Sequence, residues 1–221
     1  GEYYCKIICL IRFSNDSQLV KEEIFTINTP ARPTPKEAFE VIIEDQYQYN
    51  FPEGKYNLEL VLYEPKYKKD LYRYTDSIVV QPIKKDAFFL SEIQLLDHYG
   101  IATKNSIYNR NGYFHLPLTS AYIDEYKDSV SFYYELYRPS KVDAKNAVQK
   151  ISTYISYRPF SSPVPTYERV DTLKEQSHFH VSFPSAFLTS GNYYINVVLS
   201  DKYDAVIDKQ SLFFQRFNTR P

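Results

Sequence analysis

Two histidines, His178 and His180, stand two residues apart in a stretch of alternating apolar residues. In a β-strand such neighbours face the same side, so both imidazoles would point one way, a spacing able to hold a metal ion. No third ligand is marked by spacing. Asp171 and Glu175 are only nearby, and a metal site needs a defined ligand set. The pair therefore reads as ordinary surface residues of a strand. His98 and His115 are isolated and read as loop or strand-surface residues. No metal and no cofactor is expected.

The templates of enzyme chemistry are missing. The chain contains no Gly-x-Ser-x-Gly elbow, no His-Glu-x-x-His, no phosphate-binding loop and no dinucleotide fingerprint. The acidic pairs Glu22-Glu23 and Glu44-Asp45 are sequence neighbours, which point to opposite faces of a strand and so form no acid/base couple by themselves. Cys5 and Cys9 are the only cysteines. Along one strand they would stand roughly 13 Å apart, beyond the ~7 Å that a disulfide spans. They read as two small apolar residues of a buried face. The chain is expected to be non-catalytic.

Tyrosine is the chain's outlying residue, with 23 copies beside 15 Phe, 5 Gly and no Trp. Tyr63, Tyr67, Tyr72 and Tyr74 cluster around one hairpin with Lys66, Lys68 and Lys69. Exposed tyrosines have a flat body and a polar tip, suited to a protein partner or a sugar face. As cross-strand pairs they would instead stabilise the hairpin. The lack of Trp weighs against the sugar. Tyr133, Tyr134 and Tyr137 alternate along one strand and read as core and sheet-surface packing.

Charge excludes further classes. The 26 basic and 27 acidic residues leave a net charge of −1, without the basic surplus that phosphate neutralisation needs, so no nucleic acid is expected. No apolar run reaches the ~18 residues of a membrane-spanning helix. Gly1 leads almost directly into a strand pattern, and the chain reads as a trimmed or mature segment.

The elements that must position these groups are strands. Tyr and Phe suit pleated, half-buried surfaces, and apolar residues recur with period two. Tyr3, Cys5, Ile7, Cys9, Ile11 and Phe13 form one face of a first strand; Asn15-Asp16 is a turn, and a second strand runs through Ile24, Phe25 and Ile27. Phe39, Val41 and Ile43 alternate again, and Asn57–Glu64 with Leu71–Gln81 form a hairpin. Pro82 and Lys84-Lys85-Asp86 mark a boundary, which gives two domains, residues 1–83 and 84–221. Later strands are expected at Phe88–Leu96, Tyr113–Leu116, Val130–Tyr137, Ala147–Tyr157, His178–Phe183, Asn192–Leu199 and Ile207–Phe217. Many short strands at near-regular spacing predict an all-β chain of two tandem immunoglobulin-like or fibronectin-like antiparallel β-sandwich domains.

A repeat supports the division. Gly54-Lys55-Tyr56 continues with Leu58, Leu60, Leu62 and Glu64; Gly191-Asn192-Tyr193 continues with Ile195, Val197, Leu199 and Asp201. The downstream arms match as Ser77-Ile78-Val79-Val80-Gln81 and Ser211-Leu212-Phe213-Phe214-Gln215. Glycine permits the turn into each strand. The following tyrosine can turn its ring inward and bond its hydroxyl to the corner backbone, as in a tyrosine corner.

With Leu90-Ser91-Glu92-Ile93-Gln94-Leu95, then Phe132-Tyr133-Tyr134-Glu135-Leu136-Tyr137, then Ser211-Leu212-Phe213-Phe214, the order of elements resembles the β-rich region of GWxTD-domain proteins of Bacteroidetes. The naming motif itself is absent, since the chain has no Trp. The resemblance implies an exported cell-envelope protein, periplasmic or outer-membrane associated, and implies no activity. The reading is a structural or protein-interaction module with a protein partner in the envelope. The alternative is a glycan-binding module using exposed tyrosines.

Overall fold

A computed structural model describes residues 2–16, 18–39, 43, 46–66, 69–82, 86–138, 150–172 and 177–219. The chain is all-β and its sheets are almost wholly antiparallel. It divides into two compact units, Gly1–Ile83 and Lys84–Pro221.

The first unit holds β1 (Lys6–Asn15), β2 (Gln18–Asn28), β3 (Gly54–Glu64) and β4 (Lys69–Val80), in sheet order β2-β1-β3-β4. Alternation sets the faces as the sequence predicts: Cys9, Ile11 and Phe13 are buried together, with Phe25, Ile27, Leu58, Leu60, Leu62 and Ile78 packed against them. Both cysteines are free. Among the described residues this unit has one sheet, and a segment without strand structure covers its inner face. Phe13 meets Tyr49 and Phe51 at ring distances of 4.9 and 4.7 Å, and Phe25 meets Tyr47 at 4.4 Å. Phe39 belongs to a short helix, α1 (Pro35–Phe39), rather than to the expected strand. Thr34 caps that helix: its hydroxyl accepts from the Glu37 amide and donates to the Glu37 carboxylate. Residues 40–42, where the strand was expected to continue, lie outside the described residues.

The second unit is a two-sheet sandwich. Its strands are β5 (Phe89–Leu90), β6 (Gln94–Ile101), β7 (Asn109–Arg110), β8 (Tyr113–Pro117), β9 (Tyr122–Ile123), β10 (Ser129–Tyr137), β11 (Lys150–Ser156), β12 (Glu168–Thr172), β13 (His178–Pro184), β14 (Gly191–Ser200) and β15 (Val206–Arg216). One sheet runs β13-β10-β6-β8-β7 with β5 added on β10; the other runs β12-β11-β14-β15-β9. A single core fills the space between them. Phe132, Tyr134, Leu136, Phe179 and Val181 come from the first sheet, and Ile151, Ile155, Ile195, Val197, Leu199 and Phe214 from the second. Tyr134 and Thr153 share a hydrogen bond of 3.0 Å across the core, so the one polar atom of that ring is not left unpaired.

The repeat is real at the level of hydrogen-bond register. Tyr56 faces Ile78 and Leu62 faces Tyr72; Tyr193 faces Phe214 and Leu199 faces Asp208. The two hairpins even carry a bulge at the equivalent place, between Leu62 and Tyr63 and between Leu199 and Ser200. The downstream arms correct the sequence match by two residues: Ile78 corresponds to Phe214, not to Leu212. A two-residue slip preserves which side chains face inward, so alternation alone could not detect it.

Candidate functional site

β10 is buried on both faces. Val130, Phe132, Tyr134 and Leu136 point into the core, yet Tyr133, on the opposite face, is only 2% exposed. The cover comes from the same sheet. β6 pairs with β10 only through Gln94–Leu96, and its ladder with β8, which begins at Leu96 opposite Pro117, is interrupted by a bulge between Leu96 and His98. In a flat sheet β8 would lie three strands from β13, roughly 14 Å away. Instead His115 of β8 and His180 of β13 meet, with their Nε2 atoms 2.6 Å apart. The distal half of β6, with β7 and β8, therefore folds back as a flap over the outer face of β10 and β13.

The flap is fastened by polar and aromatic groups. Arg110 pairs with Glu135 at 2.9 Å and lies over the Tyr133 ring. Asn111 donates to the Tyr133 hydroxyl at 2.7 Å and to Glu135 at 3.2 Å. Tyr133 and Tyr137 both donate their hydroxyls to Glu135. The His180 ring stacks on Tyr99 at 5.1 Å and touches Tyr113 at 4.3 Å and Tyr133 at 5.1 Å. Tyr99 and Ser182 share a hydroxyl contact of 3.3 Å.

Burial sets the protonation states. It pushes the His180 imidazole down to about 4, helped by His115 and His178. It also lowers His115, with Arg110 and His178 adding to the shift and Glu135 opposing it. A hydrogen bond between two Nε2 atoms holds one proton, so one ring donates and the other accepts. Burial and the Glu135 carboxylate push the Tyr133 hydroxyl far up, which keeps it a donor. Burial alone would raise Glu135, but hydrogen bonds from Tyr133 and Tyr137 and the charge of Arg110 hold it below the usual carboxylate range. Every strong group has a partner within the cluster. The arrangement fastens one part of the sheet to another and presents no unpaired nucleophile or base.

His178 and His180 do share a face, as their spacing predicts, with ring centres 6.3 Å apart. The sequence reading missed that His115 is not isolated: it is the contact of His180. No signal links positions 65 apart in the chain. The outward Tyr133, Glu135 and Tyr137 on a strand whose other face is wholly apolar were the available hint that both faces are covered. Among the described residues no three His, Cys, Asp or Glu side chains converge as metal ligands.

The hairpin tyrosines do not form one platform. Tyr72 and Tyr74 stand on the inner-face side of β4, 54% and 42% exposed. Tyr63 follows the bulge and belongs with the opposite face, partly buried against Ile8. Tyr67 lies outside the described residues. That opposite face carries a line of charge across the sheet, Glu22–Arg12–Glu59–Arg73–Asp70, beside an open groove of about 600 Å³.

The fold and the cluster define an all-β protein containing a β-sandwich. No protein-family model matches the chain, and no curated protein matches it. Among solved structures it is similar to the fibronectin(III)-like modules of Clostridium thermocellum CbhA, at 12% identity over 96% of this chain and 80% of that one, with a TM-score of 0.26. It is also similar to a candidate membrane-anchored protein from Corynebacterium diphtheriae, at 10% identity over 99% of this chain and 59% of that one, with a TM-score of 0.32. Neither likeness carries the fold assignment, which rests on the sheets themselves. No helix among the described residues is long and apolar enough to cross a membrane.

Proposed function

We propose that the chain is a non-catalytic structural or protein-interaction module of a bacterial cell-envelope protein, and that it meets a protein partner along the free edge of β4. The observation that carries this reading is β4 itself. It is a strand of 12 residues at the end of its sheet, paired only with β3 among the described residues, and exposed along nearly all its length. Its outer edge offers a row of backbone donors and acceptors to an added strand. Leu71, Tyr72, Tyr74 and Val79 stand exposed along it, and the two tyrosines supply anchors of the kind that dominate interfaces. Arg73, Asp70 and the bulge limit indiscriminate pairing. The envelope setting, exported and periplasmic or outer-membrane associated, is supported by the resemblance to GWxTD-domain proteins.

The test is affinity capture by the full-length protein from detergent-solubilised envelope, run beside Tyr72→Ala/Tyr74→Ala. A protein recovered by the wild type and lost from the variant is the expected result. Equal recovery by both would overturn the role of this edge. Polysaccharide recovered in place of protein would put the glycan-binding reading first.

A further inference from the structure

The flap of the second unit has a chemical peculiarity. The main core is closed without it: none of Tyr99, Arg110, Asn111, Tyr113 or His115 belongs to the apolar cluster between the two sheets. What holds the flap on β10 and β13 is a set of titratable and aromatic groups. We propose that the His115–His180 contact is a proton-operated latch, which ties the flap down while one proton bridges the two Nε2 atoms and releases it when both rings become imidazolium.

The geometry requires this direction. Two Nε2 atoms 2.6 Å apart can be bridged by one proton; once both nitrogens carry their own proton the bond is lost, and two imidazolium rings would be two cations in contact at a site with little water. The groups facing the pair do not relieve the charge. Tyr99 comes from β6, Arg110 from β7, Tyr113 from β8, Tyr133, Glu135 and Tyr137 from β10, and His178 from β13. Arg110 and His178 oppose a further positive charge. Glu135, the one carboxylate among them, is already engaged by Arg110, Tyr133, Tyr137 and Asn111. In the open state the rings return to water and to their ordinary affinity for protons. Proton uptake therefore favours opening, across the window between the ordinary histidine value of 6.5 and the value of about 4 held by His180 in the closed state. Opening uncovers the face bearing Tyr133, Tyr137, His180 and Ser182, while the core between the two sheets stays closed.

Hydrogen exchange of the whole protein tests the latch. After correction for intrinsic rates, amides of residues 97–117 are expected to lose protection between about pH 8 and about pH 5, by at most roughly thirty-fold from His180 alone. Amides of β14 are expected to hold theirs. His115→Phe/His180→Phe keeps two rings and removes the titration, so its flap protection should not change with pH; Tyr99→Phe, which keeps both imidazoles, should respond like wild type. If the double variant does not fold, imidazole titration by NMR in the wild type decides. Both rings titrating well below 6.5 supports the latch. Flap protection that is constant with pH, or imidazoles titrating at their ordinary value, overturns it.

Discussion

Tyr193 donates its hydroxyl to the carbonyl oxygen of Thr189, 3.1 Å away and four residues upstream. Tyr56 does the same to Pro52 at 2.9 Å, also four residues upstream. Both rings are buried, so each corner is stapled by a bond that the ring's packing keeps in place. Tyr193→Phe removes the bond and leaves the ring, and is expected to lower stability by about 1 kcal/mol. Tyr193→Ala also empties a site in contact with Phe214 and is expected to lose roughly 3–5 kcal/mol. Urea unfolding of the two variants checks this; equal losses would mean that the hydroxyl, not the ring, carries the corner.

The two corner glycines differ despite their matching positions. A Cβ at either would sit 3.6 Å from the following tyrosine ring, an ordinary contact. Gly54 has φ +151°, a conformation that side chains rarely adopt, and no such φ occurs at Gly191. Gly54→Ala is therefore expected to cost about 1–3 kcal/mol in strain. Gly191→Ala is expected to be neutral or to stabilise by roughly 0.5 kcal/mol through the unfolded chain. Thermal unfolding of both variants, with the same order of midpoints predicted, is sufficient; a Gly191→Ala loss as large as that of Gly54→Ala would refute the distinction.

How far the chain could be read from its residues follows from what alternation encodes. Strand faces were legible wherever apolar residues keep period two, as in β1, β10 and β14. β12, whose residues Glu168–Thr172 are largely polar, and the two-residue strands β5, β7 and β9 carry no such pattern; pairing with neighbours makes them strands. The repeated hairpin was visible because Gly-x-Tyr fixes a local corner. The register of the downstream arms was not visible, since a shift of two leaves every face unchanged. The histidine cluster was beyond reach for a different reason. His115 and His180 meet because the sheet folds over itself past the Leu96/His98 bulge, and no local propensity announces where a strand will stop pairing with one neighbour and turn over another.

Asn196 is a polar residue at the centre of the second sheet, with no exposed surface. Its amide group donates to Ser156 at 2.7 Å and its oxygen accepts from the Phe160 backbone at 2.9 Å and from Ser211 at 3.0 Å. One side chain thus joins β14 to β11, to β15 and to the proline-rich loop at 159–165. Phe160 holds a left-handed φ of 56°, so the bond to its amide helps to fix a conformation that the loop would not choose alone. Asn196→Ala strands several of these partners and is expected to destabilise by about 2–4 kcal/mol. The Phe160 amide should then exchange ahead of global unfolding. Unchanged stability together with an unchanged Phe160 exchange rate would show that water replaces the side chain.

Glu135 provides a separate pH signature from the histidines. Its pKa in the folded chain lies below its ordinary value of 4.5, so the unfolded state binds its proton more readily than the native state does. Stability from this group is therefore complete above that ordinary value and is lost as pH falls through the folded one. Glu135→Gln keeps the shape but removes the charge that Arg110, itself 44% exposed, pairs with. Allowing for that exposure, the variant is expected to be less stable by about 1 kcal/mol at neutral pH. The gap between wild type and variant should close in acid below the carboxylate range, a region distinct from the histidine window above it. Denaturant midpoints measured for both proteins from neutral pH into acid would show it. A gap that persists unchanged at the acid end would mean that the loss comes from packing of the amide and not from the charge.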